Sequence, residues 1–121
     1  PYDKDELYIL NDSLGGFTIN GKGFPATAAY TAGLGDRLRF RFMNEGQMVH
    51  PIHLHGQRFL ILAVNGVPAD DPAWKDTVLV PAGAAVDLLV EMSNPGPWML
   101  HCHIAEHLQA GMMMTVNVEE S

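Results

Sequence analysis

The segment Asp36–Asn44, DRLRFRFMN, interleaves Arg37, Arg39 and Arg41 with Leu38, Phe40 and Phe42. Strand side chains point alternately to opposite faces, so this pattern predicts a strand with one wet and one buried face. Working outward, shorter runs of the same kind recur: FTIN at 17–20, RFLILAVNG at 58–66, DTVLV at 76–80, AAVDLLVEM at 84–92, WMLHCH at 98–103 and MMMTVNVE at 112–119. Turn formers separate them, among them NGKGFP, NGVPADDP, PAG and SNPGP. Tyr8–Leu10 adds a candidate edge strand, LNDSLGG after it reads as loop, and only IAEHLQA at 104–110 suggests a helical turn. About seven to eight short strands with Gly and Pro punctuation and no amphipathic helix predict an all-β fold, an antiparallel Greek-key sandwich or barrel.

The 121 residues fit one domain, and a domain of that size buries roughly two thirds of its unfolded surface. Fourteen acidic against seven basic residues give a net charge of −7, spread without blocks of either sign. That balance argues against nucleic acid, which rewards a positive patch, as a partner. The longest apolar runs, such as Phe59–Val64, are too short to span a bilayer. The chain opens on Pro1 with no methionine and no signal-like segment, which reads as a processed or cut form. Cys102 is the single cysteine, so the chain holds no internal disulfide.

All six histidines fall in two clusters, His50, His53 and His55 in HPIHLHG and His101, His103 and His107 in HCHIAEH. Taken as strands, the clusters sort by parity: His101 and His103 share a face opposite Cys102, and His53 and His55 share a face opposite His50. Pro51 is the residue that could distort this placement of His50. If the two segments pair, Cys102 meets His50 on one side, while His53, His55, His101 and His103 gather on the other. His107 can fold back toward Cys102, and Met112 arrives five residues later. One thiolate, two imidazoles and a weak thioether are the donors of a blue copper site. Zinc can use the same set but gains nothing from the Met. An isolated Cys–His pair is most often a buried thiol beside a satisfied imidazole, and a nucleophilic Cys102 with a His base would leave four histidines without a task. Met112, Met113 and Met114 all stand near enough for the axial role, and the spacing from His107 favours Met112; Met43, Met48, Met92 and Met99 read as filler.

HPIHLHG followed by HCHIAEHLQAGMMM resembles the paired copper motifs of the last cupredoxin domain in multicopper oxidases, the laccase-like family. FTINGKGFP, RLRFRFMN, KDTVLVPAG and NPGPWMLHCH extend the likeness over most of the chain, so that residues 1–121 read as one cupredoxin domain. The resemblance implies His50, Cys102, His107 and Met112 as type 1 copper ligands, His53 as a type 2 ligand, and His55, His101 and His103 as type 3 ligands. It further implies that a reducing substrate, a phenol, an aromatic amine or a metal ion, gives electrons to the type 1 copper. These pass through Cys102 to His101 and His103 and on to a trinuclear cluster, where dioxygen becomes water. The family draws the cluster's histidines from two domains, and this chain has half of them, so the resemblance implies a second cupredoxin domain or subunit, a second copy of the chain being one option, that completes it. Some bacterial members place an acidic residue directly after the last histidine of HCHxxxH; Leu108 stands there and Glu106 precedes His107, so no proton donor carries over. The likeness implies a periplasmic or secreted protein. Two alternatives remain: a stand-alone blue copper electron carrier, and a plain copper-binding or storage protein. Asp70, Asp71 and Asp76 are read as solvated loop residues that could also steer a cation.

Overall fold

The computed structural model describes residues 4–12, 17–69, 73–104, 107 and 111–120. Among the described residues, twelve strands form two sheets. The first contains β1 (Lys4–Asn11), β2 (Thr18–Ile19), β4 (Arg37–Asn44), β6 (Arg58–Val64), β7 (Val67–Pro68), β8 (Trp74–Lys75) and β10 (Ala85–Glu91), in the order β2-β1-β4-β10-β6-β7, with β8 also on β6. The second runs β3 (Tyr30–Gly33), β12 (Met113–Glu119), β11 (Gly96–Cys102), β5 (His50–Leu54), β9 (Thr77–Val80).

The alternation in 37–42 works as predicted. Leu38, Phe40 and Phe42 are buried, and each arginine meets an acid directly across a neighbouring strand: Arg37 with Glu91, Arg39 with Asp5, Arg41 with Asp87. One apolar cluster joins both sheets, with Phe40 and Leu88 from one side and Ile52, Leu100, Cys102 and Val116 from the other.

Three features differ from the sequence reading. The strands number twelve, because β7 and β8 have two residues each, too few to show a period, and β3 is a four-residue strand without clear alternation. Not every pair is antiparallel: β1 runs parallel to β4, and β3 parallel to β12. Parallel partners lie far apart in sequence and leave no hairpin signal between them. The stretch 8–10 belongs to an eight-residue strand flanked on both sides rather than to an edge. The candidate helical turn at 104–110 lies largely outside the described residues.

Candidate metal centre

Antiparallel pairing of β11 with β5 sets His101 opposite His53, Cys102 opposite Ile52 and Leu100 opposite Leu54. Cys102, Ile52, Leu54 and Leu100 face the core, and His50, of the same parity as Ile52, faces it too. Pro51 does not distort the strand: it keeps its register with Leu79, and its carbonyl accepts a hydrogen bond from the His103 N–H at 2.6 Å.

On this inner face the Cys102 Sγ lies 3.6 Å from His50 Nδ1 and 3.3 Å from His107 Nδ1, and the two Nδ1 atoms are 3.2 Å apart. All three residues are buried. Met112 is buried beside them and tied by backbone to two of them: its N–H donates to the His107 carbonyl at 3.1 Å, and its carbonyl accepts from the Cys102 N–H at 3.0 Å. Of the three adjacent methionines, Met112 is thus the one stitched to the Cys102–His107 loop.

Asp12 holds the far edge of His50. Its Oδ2 accepts from His50 Nε2 at 2.9 Å, and its two oxygens accept from the Gln47 and Met48 N–H groups at 2.9 and 3.0 Å. Burial pushes the Asp12 carboxyl up, but these donors together outweigh it and hold the group below the usual carboxylate range. A carboxylate only accepts, so His50 carries its proton on Nε2 and turns the Nδ1 lone pair toward Cys102. Asn44, also buried, fixes the intervening loop by donating to the Met48 and Val80 carbonyls at 2.7 and 2.9 Å and accepting from the Gly46 N–H. Phe17 stacks on the His107 ring with centroids 4.2 Å apart.

The donor chemistry fits a soft cation. Burial raises the Cys102 thiol and lowers His50, so neither favours its charged form without a counter-charge. Lone pairs of two imidazoles this close to one sulfur repel unless a proton or metal ion lies among them. A thiolate with two neutral imidazoles and a nearby thioether suits copper.

The outer face gathers His53, His55, His101 and His103, with ring centroids of neighbouring pairs 4.6 to 6.0 Å apart. Here the tautomers are reversed. His53 Nδ1 donates to the Asp76 carbonyl at 2.9 Å, and His101 Nδ1 to the Cys102 carbonyl at 2.9 Å, which leaves each Nε2 with its lone pair. His55 Nε2 and His101 Nε2 approach to 2.9 Å. Burial first, then the crowding of neighbouring imidazoles, lowers the proton affinity of His55. A cleft of about 700 Å³ opens beside them, lined in part by His53, His55, Trp74, Asp76 and Asn94. Gly56, at φ +77°, ends this strand under the Trp98 indole, where an added Cβ would collide with the ring. Buried Gln57 clamps the same turn by accepting from the Ser93 and Asn94 N–H groups and donating to the Asn94 carbonyl.

Every predicted histidine therefore joins the group expected of it. Asp12, Asn44, Gln57 and Phe17 were missed: their roles depend on which loop packs against which, and only the Asn-Asp pair within LNDSLGG hinted at a polar anchor. Asp70, Asp71, Glu106 and Leu108 lie outside the described residues, while Asp76 exposes its carboxylate near His53 at 3.6 Å.

Known proteins resemble this chain in sequence and fold. Residues 1–121 match the family described as Multicopper oxidase. The multicopper oxidase MmcO of Mycobacterium tuberculosis is 40% identical over 96 residues, 79% of this chain and 18% of that protein. The multicopper oxidase mco of Staphylococcus haemolyticus is 35% identical over 122 residues, 95% of this chain and 27% of its own length. The blue copper oxidase of Nitrosomonas europaea superposes with a TM-score of 0.88 at 33% identity, covering 97% of this chain and 44% of that one. The chain spans less than half of each of these relatives. A family match along its whole length, on a two-sheet cupredoxin fold that converges one thiol and two imidazoles, makes the chain a member of the multicopper oxidase family.

Proposed function

We propose that residues 1–121 form one cupredoxin domain that receives electrons at a type 1 copper and delivers them to an oxygen-reducing cluster it shares with another domain or subunit. The observation that carries this reading is the tripeptide His101-Cys102-His103, which puts a sulfur in the inner set and two imidazoles in the outer set of one strand end. His50, Cys102 and His107 would hold the type 1 copper with Met112 as weak axial donor. His53 would serve the type 2 copper, and His55, His101 and His103 the type 3 pair. Copper at these positions supplies one-electron oxidation of a reducing substrate and reduction of dioxygen to water.

The chain's own residues do the rest. Burial of the inner set excludes water and holds the two imidazoles in place, so little has to move between oxidation states. The path between the sets is short and covalent, from Cys102 along the backbone to either neighbouring histidine. The Nδ1 bonds of His53 and His101 fix the rings so that Nε2 is the nitrogen each offers to a metal. The reducing substrate is a phenol, an aromatic amine or a metal ion. A periplasmic or secreted location is supported by the family likeness; no helix among the described residues is long and apolar enough to cross a membrane.

One observation favours a second reading, a blue electron carrier: the inner donors are complete in this chain and the outer ones are half a set. Copper analysis with size measurement separates the two. Blue absorbance with one copper per chain and no oxygen uptake, even with the second domain or copy present, overturns the oxidase reading. Additional copper per chain, together with oxygen uptake when a second domain or copy is present, supports it.

A further inference from the structure

We propose that Asp12 is a positioning residue of the type 1 site: its carboxylate orients His50 and lends that ring negative charge, which favours the oxidised metal. The inference rests on the type 1 reading of His50, Cys102 and His107. Three observations carry it. The Asp12 side chain is 3% exposed and sits 2.9 Å from His50 Nε2, on the edge of the ring opposite the Nδ1 that faces Cys102. Both of its oxygens also accept from the Gln47 and Met48 N–H groups, which hold the carboxylate against the ring. The loop also leaves space for it at Gly46, where any Cβ would strike the Asp12 carboxylate.

A metal-bound imidazole whose far N–H donates to a carboxylate becomes a stronger donor, and such partners change metal affinity or activity on the order of ten- to a hundredfold. A stronger donor favours Cu(II) over Cu(I). Because Asp12 arrives from the end of β1 while His50 begins β5, the hydrogen bond also ties the metal ligand to the other sheet. If Asp12 only anchored the 45–49 loop, its loss would change stability without changing the metal's preference between oxidation states.

The test is made on the copper-loaded protein, by redox titration of the blue band and by pulsed electron paramagnetic resonance of the remote imidazole nitrogens. Asp12→Asn removes the charge but keeps an acceptor. It should keep the blue band and copper content, shift the Cu(II)/Cu(I) equilibrium toward Cu(I) about tenfold, which is about 59 mV for one electron, and alter one remote-nitrogen coupling. Gly46→Ala keeps the carboxylate but pushes it off His50, and should move both readouts in the same sense by less. Where Asp12→Asn does not fold, Gly46→Ala decides alone. A blue, fully loaded variant whose equilibrium stays within about threefold of the parent and whose remote-nitrogen coupling is unchanged overturns the proposal. Absence of a blue site in the unaltered protein overturns the type 1 reading instead, before any variant is compared.

Discussion

The two faces of the β5–β11 pair use the same side chain and offer opposite nitrogens. Inside, His50 is held at Nε2 by Asp12 and presents Nδ1. Outside, His53 and His101 are held at Nδ1 by backbone carbonyls and present Nε2. Strand parity decides which face a histidine joins, but the acceptor behind the ring decides which nitrogen can bind a metal. Completeness differs for a related reason. The inner set is finished by elements of this chain that fold over it, with His107 and Met112 from one loop and Phe17 from another. The outer set borders an open cleft, and under the proposed function its remaining donors come from another domain or subunit.

If the faces are independent, changes on one should spare the other. The largest expected effect is Cys102→Ser, because a hard hydroxyl cannot supply the thiolate-to-copper absorption. The blue colour should vanish completely while copper taken up by the outer histidines persists, as measured by visible absorbance and copper analysis. Persistent blue colour would show that the sulfur is misassigned; loss of both copper classes would show that the faces are coupled. Gly56→Ala acts from the other side. An alanine there adopts a left-handed backbone and meets the Trp98 ring, at a cost of about 1–3 kcal/mol in urea unfolding. That turn carries His55, so the outer copper should weaken while the blue site stays. A blue band lost together with the outer copper would mean that the Gly56 turn supports both.

Met112→Leu is smaller again. The variant should keep copper and colour but move the potential, since a weak axial donor tunes the metal without holding it. Complete copper loss would make Met112 a full ligand, and an unchanged potential would pass the axial role to a neighbour.

Much of this was legible in the sequence because alternation is a local signal. Arg37 to Phe42 announced their strand, and odd and even numbering alone sorts five histidines and Cys102 onto two faces, with His107 left to the loop that follows. Tertiary packing hid the rest. Nothing local to Asp12 says that it meets a histidine 38 positions later, and the parallel partnership of β1 with β4 has no turn to advertise it. The two-residue β7 and β8 are strands only because β6 offers them an edge. Sequence thus singled out the candidate donors, whose residue types are rare, and missed their supports, whose residue types are common.

The smallest effect belongs on the other sheet, where a change should disturb neither face. Asp5 lies directly across from Arg39, with Arg39 Nε donating to Oδ1 at 3.0 Å. The hydrogen bond from Arg39 leads the causes that hold the Asp5 carboxyl below its ordinary value, against a smaller penalty from burial. A carboxyl depressed in the folded state contributes stability above its unfolded value and loses it as pH falls through the folded one. The pair is largely solvent-screened, so Asp5→Asn should cost less than about 1 kcal/mol at neutral pH and low salt, and less still at high salt. The variant's deficit should also close as both proteins are acidified below the carboxylate range. Blue absorbance and outer copper content should both match the parent, because Asp5 lies near the start of β1, while Asp12, which contacts His50, follows its far end. A change in colour would instead show that strain in the β1–β4 pair is transmitted along β1 to Asp12 and so to His50.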